Sequence, residues 1–263
     1  MSSPLNDLGQ PIGVPLPGWR PAALPWREPL EGRFCRLETV RPSDHAAPLF
    51  AANAKDREGR MWTYLPYGPF PTLEAYRAWM EAACRGADPL FYVILERPKE
   101  AAQNGTAPAG AAEAKPKAGG LPLGLASYMR IAPEVGVIEV GQLAFSPALQ
   151  QTPAATEALY LLIGHVFALG YRRCEWKCDA LNDPSRRAAR RLGFSYEGTF
   201  RQSAVVKGRN RDTAWFSILD TEWPVLEASF RRWLAPENFE ADGTQRESLS
   251  RLTAPLLRGP RAE

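Results

Sequence analysis

The stretch SPALQQTPAATEAL, residues 146–159, marks the point where the sequence changes from the period of a strand to the period of a helix. Thr152 is suited to be the N-cap of this helix and Pro153 to be its first residue, because proline there gives up only an amide that has no intrahelical partner. Apolar residues then recur at helical spacing as far as Gly170. The stretch therefore predicts a helix over residues 153–169 that lies on a sheet.

Strand and helix patterns precede this junction. The runs LFYVILE, PLGLASYMRI and VGVIEVGQLAF predict a meander of three strands. Before them, RFCRLETV predicts a strand, and SDHAAPLFAANAK predicts a short helix with Ser43 or Asp44 as its N-cap. TLEAYRAWMEAACRG predicts a second helix, which Thr72 caps and Gly86 ends.

The pattern after the junction continues the same alternation. RRCEWKCDA predicts a strand, and DPSRRAARRL predicts a helix with Pro184 in its first turn and Gly193 at its end. FSYEGTFRQSAVVKG and RDTAWFSILD predict a long hairpin, and PVLEASFRRWL predicts a short helix. Together these elements predict an α/β fold of the α+β kind, with helices flanking a mixed, mostly antiparallel central sheet.

The composition of the 263 residues, 45% hydrophobic and 23% charged, fits one globular domain with tails. Residues 1–30 are a proline-rich arm without periodicity, and residues 31–235 hold the domain. An insertion at 97–120 has the alanine, proline, glycine and lysine content of a flexible loop. Residues 236–263 are a polar C-terminal tail.

The net charge of +3 is too small for a protein that wraps nucleic acid, so RNA or DNA binding is not favoured. The N-terminus lacks a basic start followed by an apolar block, and no apolar run approaches about 18 residues, so we expect a cytoplasmic protein outside the membrane. Cys174 and Cys178 are spaced as metal ligands can be. Because the sequence offers only two histidines and no second close cysteine pair, we expect reduced thiols and no metal.

The start of the predicted helix could bind an anion. With Thr152 as N-cap, we expect the amides of Thr152, Ala154 and Ala155 to lack partners, and the helix dipole favours negative charge there. The small alanine side chains would permit the close approach of a pyrophosphate. The alternative is an ordinary capped helix with no ligand.

A second segment, LNDPSRRAARRLGF, follows one strand later, and with it the chain resembles the GNAT superfamily of N-acetyltransferases over roughly residues 32–223. Within that superfamily it is most similar to the RimJ/RimL-like branch, which acetylates N-terminal amines of ribosomal proteins. The segment QQTPAATEAL is similar to the family's Q-x-x-G-x-A coenzyme A loop, with Pro153 in place of the central glycine. The resemblance also rests on the strand IEVGQLAFSP and on an N-x-P-S and L-G-F pattern formed by Asn182, Pro184, Ser185, Leu192, Gly193 and Phe194.

The resemblance implies direct transfer of an acetyl group from acetyl-CoA to a primary amine, either a protein N-terminus or a small molecule, without a metal. It implies a slot for the coenzyme between the strand that ends at Phe145 and the strand that ends near Ala180. The residues it implies for coenzyme binding are Leu143, Ala144, Phe145, Gln150, Gln151, Thr152, Ala154, Ala155, Thr156, Asn182, Ser185, Arg186 and Arg190. The alternatives are strand core for the first three, helix capping for Asn182 and a solvated helix face for the arginines.

The resemblance also suggests which groups move protons. The family's usual acid, a tyrosine, is replaced here by Ala189, so Ser185 or a water held by Asn182 is the remaining candidate for protonating the thiolate. Glu139 is the leading candidate for the base, ahead of Glu134 and Asp179. The alternative for any of these carboxylates is a solvated strand residue.

The segment MWTYLPYGPF, residues 61–70, is dense in aromatic side chains, and the resemblance implies that it forms part of the acceptor site. Trp62, Tyr64, Tyr67 and Phe70 could hold an amine by cation–π contact. They could equally form a local core or the surface of a homodimer. Two other functions stay open: a catalytically weak CoA-binding or regulatory protein, and a basic RNA-associated module.

Overall fold

A computed structural model of the chain describes residues 3–97, 120–240 and 242–258. The predicted insertion therefore lies almost wholly outside the described residues. The described part contains one eight-stranded sheet and six α-helices, which confirms the predicted fold class.

The sheet has the strand order β1-β2-β3-β4-β5-β6-β8-β7. All neighbouring strands are antiparallel except β5 and β6, which are parallel because the helix after β5 carries the chain back across the sheet. The strands are β1 (Leu30–Glu31), β2 (Cys35–Thr39), β3 (Leu90–Glu96), β4 (Leu121–Ala132), β5 (Val137–Phe145), β6 (Arg173–Asp179), β7 (Ser195–Val206) and β8 (Arg209–Leu219).

The helices cover the two faces of this sheet. The first face carries α1 and α2, which pack on β3 and β4 around buried Leu49, Tyr76 and Met80. The second face carries the remaining helices, with Leu162 and Val166 against Ile138 and Cys174 of the sheet. The helices are α1 (Pro42–Asn53), α2 (Leu73–Ala83), α3 (Pro153–Ala168), α4 (Asp183–Arg191), α5 (Trp223–Leu234) and α6 (Leu249–Thr253).

The helix starts follow the predicted caps with one exception. Thr72 and Thr152 accept hydrogen bonds from the amides three residues on, so they cap α2 and α3 as predicted. The prediction of Ser43 or Asp44 as the cap of α1 is wrong. That helix begins at Pro42, because proline is favoured in a first turn, and Arg41 is its N-cap without a side-chain bond.

The N-terminal arm lies across several elements. The amide of Ala22 donates to Pro133 O in the β4–β5 turn, and the amide of Ala23 donates to Leu169 O at the end of α3. The hydroxyl of Tyr92, buried in β3, donates to Trp26 O at 2.6 Å. The irregular sequence of the arm is thus held by backbone bonds to the domain.

The described part of the C-terminal segment also packs on the domain. Leu249 and Thr253 of α6 are buried, and the Thr253 hydroxyl donates to Arg191 O at 3.0 Å. Among the residues that the structure describes, none of the helices has the length and apolar character needed to cross a bilayer.

Candidate active site

The parallel strands β5 and β6 separate part-way along their length. They pair only between Val137–Glu139 and Arg173–Glu175, so residues 140–145 of β5 have no partner on that side. We call the gap between residues 140–145 and residues 176–179 the wedge. It lies where the sequence predicted a slot.

The backbone of β5 directs two amides toward the wedge. Ser146 N donates to Leu123 O of β4 at 3.0 Å, and Ala144 pairs with Leu125. Because successive N–H groups of a strand point to opposite edges, those of Leu143 and Phe145 face away from β4 and into the gap. A β-bulge with φ 50° at Gln142 bends the strand at the same place.

The start of α3 differs in part from the prediction. Of the three amides expected to be unpaired, the one on Thr152 donates to Leu149 O at 3.3 Å and the one on Ala155 donates to the Thr152 hydroxyl at 3.1 Å. The Thr152 amide is bound within a tight turn before the cap, and the Ala155 amide is bound by the capping side chain. Within the described residues, the amides of Ala154 and Gln151 have no hydrogen-bond partner, and Gln151 has a left-handed φ of 61°. Of the three predicted donors, only Ala154 lacks a partner in the part of the chain that the structure describes, and Gln151, which was not predicted, is the second available amide.

The side chains around this turn are mostly engaged within the protein. The side-chain amide of Gln150 donates through Nε2 to Phe145 O at 2.8 Å, which connects the turn to the end of β5. Ala154 and Ala155 are buried in the core, and so is Thr156, whose hydroxyl accepts from Arg191. What this turn offers a ligand is its backbone rather than its side chains.

The start of α4 is capped by Asn182, which was the alternative to its coenzyme-binding role. Asn182 Oδ1 accepts from Ser185 N at 3.2 Å, so the helix-capping role of Asn182 is present in the structure. The Ser185 hydroxyl accepts from the Trp176 indole of β6 at 3.0 Å, and it also lies beside the thiol of Cys178. Ala189, at the position of the family's tyrosine, is fully buried.

The four arginines of α4 do not form one solvated face. Arg187 is exposed and paired with Asp183 one turn earlier, but Arg186 bends back to Ala180 O at 3.4 Å. Arg190 is half-buried. Arg191 reaches the first turn of α3, and burial lowers the pKa of its guanidinium. The sequence did not single out Arg191, because a contact between two helices leaves no local pattern.

Glu139 is buried rather than a solvated strand residue. Its side chain is 4% exposed and lies on the α1/α2 face of the sheet, where it pairs with Arg130 at 2.5 Å and Lys177 at 3.1 Å. Burial raises its pKa, and the two cations oppose that effect. Of the weaker candidates, Glu134 is exposed, and Asp179 accepts from Leu181 N in the turn after β6.

Three of the four aromatic side chains of residues 61–70 pack together. Trp62, Tyr67 and Phe70 contact one another with ring centroids 5.6 to 6.5 Å apart, and Trp79 of α2 lies 4.2 Å from the Tyr67 ring. Trp62 is 5% exposed, so this group is a local core, as one alternative held. Tyr64 stands apart from it.

Hydrogen bonds join this aromatic segment to both strands of the wedge. The Tyr67 hydroxyl donates to Gln142 O at the bulge at 3.3 Å, and burial raises its pKa well above the ordinary range, so it stays a donor. The Tyr64 hydroxyl donates to Leu181 O, just after β6, at 3.0 Å. Lys207, at the tip of the β7–β8 hairpin, donates to the Trp62 carbonyl at 2.7 Å. The segment and the hairpin thus border the wedge on the α1/α2 face.

The two cysteines of β6 are free, buried thiols. Cys174 and Cys178 are buried on the second face of β6, and burial raises the pKa of both thiols. In the described segments, no group of three or more His, Cys, Asp or Glu side chains is placed to hold a metal ion.

Comparisons with known proteins agree with this geometry. The model of the acetyltransferase (GNAT) domain family matches residues 35–195. A GNAT N-acetyltransferase from Brucella melitensis is 42% identical, with a TM-score of 0.81 over 91% of this chain and 100% of that one. A probable GNAT-family acetyltransferase from Chromobacterium violaceum is 39% identical, with a TM-score of 0.69 over 82% and 98% of the two chains.

More distant structures share the fold alone. One is Mycobacterium smegmatis RimJ in complex with CoA-disulfide, which is 19% identical with a TM-score of 0.56 over 75% of this chain and 88% of that one. A search of curated proteins found no match. The family match and the two close structures establish that this chain belongs to the GNAT family of acetyltransferases.

Proposed function

We propose that this acetyltransferase moves the acetyl group of acetyl-CoA to a primary amine by direct attack while both substrates are bound. The observation that carries the proposal is the wedge, which opens both faces of the sheet at one point. The start of α3 lies at the second face, and Glu139 and the aromatic segment lie at the first. A donor and an acceptor could therefore meet from opposite faces.

The backbone on the donor side suits coenzyme A. The partnerless amides of Gln151 and Ala154 stand at the positive end of α3, where a pyrophosphate is stabilised by roughly 0.3 to 1 kcal/mol per charge interaction. The amides of Leu143 and Phe145 would bind the pantetheine arm and the thioester oxygen. One such preorganised donor contributes about 3 to 4 kcal/mol to an acyl-transfer transition state.

The acceptor side suits an amine that needs little activation. An α-amine has a pKa of about 8, whereas a lysine amine has one of about 10.4. Glu139 is the proposed base, because its raised pKa brings its proton affinity closer to that of the α-amine. The amine nitrogen forms a bond to the acetyl carbon, the carbon–sulfur bond breaks, and the amine proton passes to Glu139 directly or through one water. The Ser185 hydroxyl, which accepts from Trp176 and lies beside the Cys178 thiol, is the proposed hydrogen-bond donor to the departing thiolate, and solvent supplies the proton that the thiolate takes up.

The borders of the acceptor side favour a free chain end or a small molecule. Tyr64, Tyr67 and Lys207 tie the aromatic segment to the β6 end, to β5 and to the hairpin. A side chain in the middle of a folded protein would have to pass these borders, whereas an N-terminal residue or a small amine can enter end-on.

Thiol release from acetyl-CoA with a panel of acceptors tests the proposal. The panel holds peptides with a free N-terminus, the same peptides acetylated at the N-terminus but carrying a lysine, and small primary amines. We expect turnover with the first or third group. Glu139→Gln should reduce kcat/KM by about 10²-fold near neutral pH, and Glu134→Gln, in the exposed turn, is the matched control. No thiol release with any amine would contradict the proposal.

One observation favours a second candidate, a CoA-binding protein with weak or no turnover. Ala189 occupies the position of the usual acid and is buried, so no hydroxyl can act from there. Thermal stabilisation by CoA without thiol release across the whole panel would favour this second function.

A further inference from the structure

Six charged side chains form an alternating row on the α1/α2 face of the sheet. Each neighbours the next within 2.5 to 3.1 Å, from an exposed cation at one end to a half-exposed carboxylate at the other. In order, they are Arg130 of β4, Glu139 of β5, Lys177, Glu175 and Arg173 of β6, and Glu197 of β7.

The centre of this row is buried. The side chains of Glu139, Lys177 and Glu175 are 4%, 6% and 9% exposed. Lys177 Nζ lies 2.6 Å from Glu175 Oε2, 3.1 Å from Glu139 Oε2 and 3.7 Å from the centre of the Trp215 ring. Its three N–H groups thus have two carboxylates and an aromatic face around them.

The place of this centre in the sheet matters as much as its burial. Glu139 and Glu175 are directly opposite each other on neighbouring strands, and they are the last pair before β5 and β6 separate. Two like charges in that arrangement repel, and one of them would take up a proton unless a cation lay between them. Lys177 is that cation.

We propose that Lys177 is a positioning residue that holds the Glu139 carboxylate ionised and directed at the narrow end of the wedge, ready to take a proton from the acceptor amine. The inference rests on the proposed function. Lys177 itself touches neither substrate, and its effect passes through Glu139.

Lys177 differs from the other groups around Glu139 because it contacts both carboxylates. Arg130 of β4 is the second cation and also lowers the pKa of Glu139, but its side chain is 56% exposed and, among the described residues, its ion pair is with Glu139 and not with Glu175. From β6, Glu175 adds a negative charge and the thiol of Cys174 is neutral because burial raises its pKa. Lys177 is therefore the one buried cation beside Glu139 in the described part of the chain.

The pH dependence of kcat/KM in Lys177 variants tests the inference. In Lys177→Met the acid limb should move to higher pH, because Glu139 then lies opposite Glu175 with no buried cation between them. We expect kcat/KM about tenfold below wild type at about pH 6 and within about twofold of it at about pH 9. Lys177→Arg, which keeps the charge, should return the limb toward its wild-type position. Arg231→Met, which removes an exposed cation of α5, is the matched control.

A direct titration separates this inference from the proposed function. With side-chain ¹³C-labelled glutamate, the Glu139 carboxyl, assigned from Glu139→Gln, should titrate at higher pH in Lys177→Met than in wild type. An unchanged Glu139 titration overturns the inference, even if wild-type protein acetylates amines. A loss of kcat/KM that is equal at every pH also overturns it, because it would mean that Lys177 only supports the fold. If wild type releases no thiol, the proposed function fails, and the titration still decides the role of Lys177.

Discussion

Replacement of Glu157 by alanine should destabilise the protein strongly. Glu157 lies in the second turn of α3 and is 4% exposed. Its carboxylate accepts three backbone amides where the chain enters β2: Arg33 N at 2.8 Å, Phe34 N at 2.6 Å and Cys35 N at 2.9 Å. It is the link between the edge of the sheet and the helix whose start borders the wedge.

The size of the effect follows from these three bonds. A hydrogen bond to a charged group contributes about 1.5 to 3 kcal/mol, and each buried amide left without a partner costs about 1 to 3 kcal/mol. Because the three share one carboxylate, their effects do not simply add, and we expect about 4 kcal/mol in all. For a protein of this size, that lowers the melting temperature by about 8 to 16 °C.

Urea denaturation at neutral pH measures the change in the free energy of unfolding. Glu157→Gln should lose about half as much unfolding free energy as Glu157→Ala. The glutamine side chain keeps one acceptor oxygen, but its NH₂ group then faces the backbone N–H groups that the second carboxylate oxygen accepted. Glu227→Ala removes a partly exposed carboxylate paired with Arg231 and should change stability by less than about 0.5 kcal/mol. A loss below about 1 kcal/mol in Glu157→Ala would refute the reasoning.

Three further predictions concern the site and its support. Lys207→Ala should raise KM for the acceptor by roughly threefold to tenfold and leave KM for acetyl-CoA unchanged. The reason is that it removes only the hydrogen bond from the hairpin to Trp62 O. Steady-state kinetics with each substrate varied in turn would measure both constants. Gly193→Ala should cost about 2 kcal/mol in urea denaturation, since φ is 94° there and a Cβ would lie 2.4 Å from Leu226 Cδ2. In wild type, kcat/KM should fall as the pH is lowered through the raised pKa of Glu139, since only the ionised carboxylate accepts a proton, and a flat acid limb in the pH profile would argue against that base.

The sequence predicted the elements well because each depends on local pattern. Alternation and turn residues located the strands, and Thr72 and Thr152 located the starts of α2 and α3. The predicted N-cap of α1 was wrong by two or three residues. A first-turn proline and nearby cap residues are competing start signals, and the sequence pattern does not show which of them prevails.

The sequence did not predict the contacts that join distant segments. Glu175 and Lys177 alternate along one strand, which could have signalled a shared face, but their meeting with Glu139 depends on the register of a parallel pair that a helix separates. The contacts of Arg191 and Lys207 were not predicted, for the same reason. Local periodicity fixes which face a side chain takes, and only the tertiary fold fixes which partner it meets.

The N-terminal arm bears on how the domain could be shortened. Its proline-rich composition invites removal when a minimal catalytic unit is sought. Yet the Tyr92 hydroxyl, buried in β3, has the Trp26 carbonyl as its acceptor. The Arg27 guanidinium also donates to Gly86 O, just after α2, at 2.9 Å. Removal of residues 1–29 would leave the buried Tyr92 hydroxyl without its acceptor, at a cost of about 1 to 3 kcal/mol. The arm is therefore part of the packing of the domain, and its removal would weaken the core.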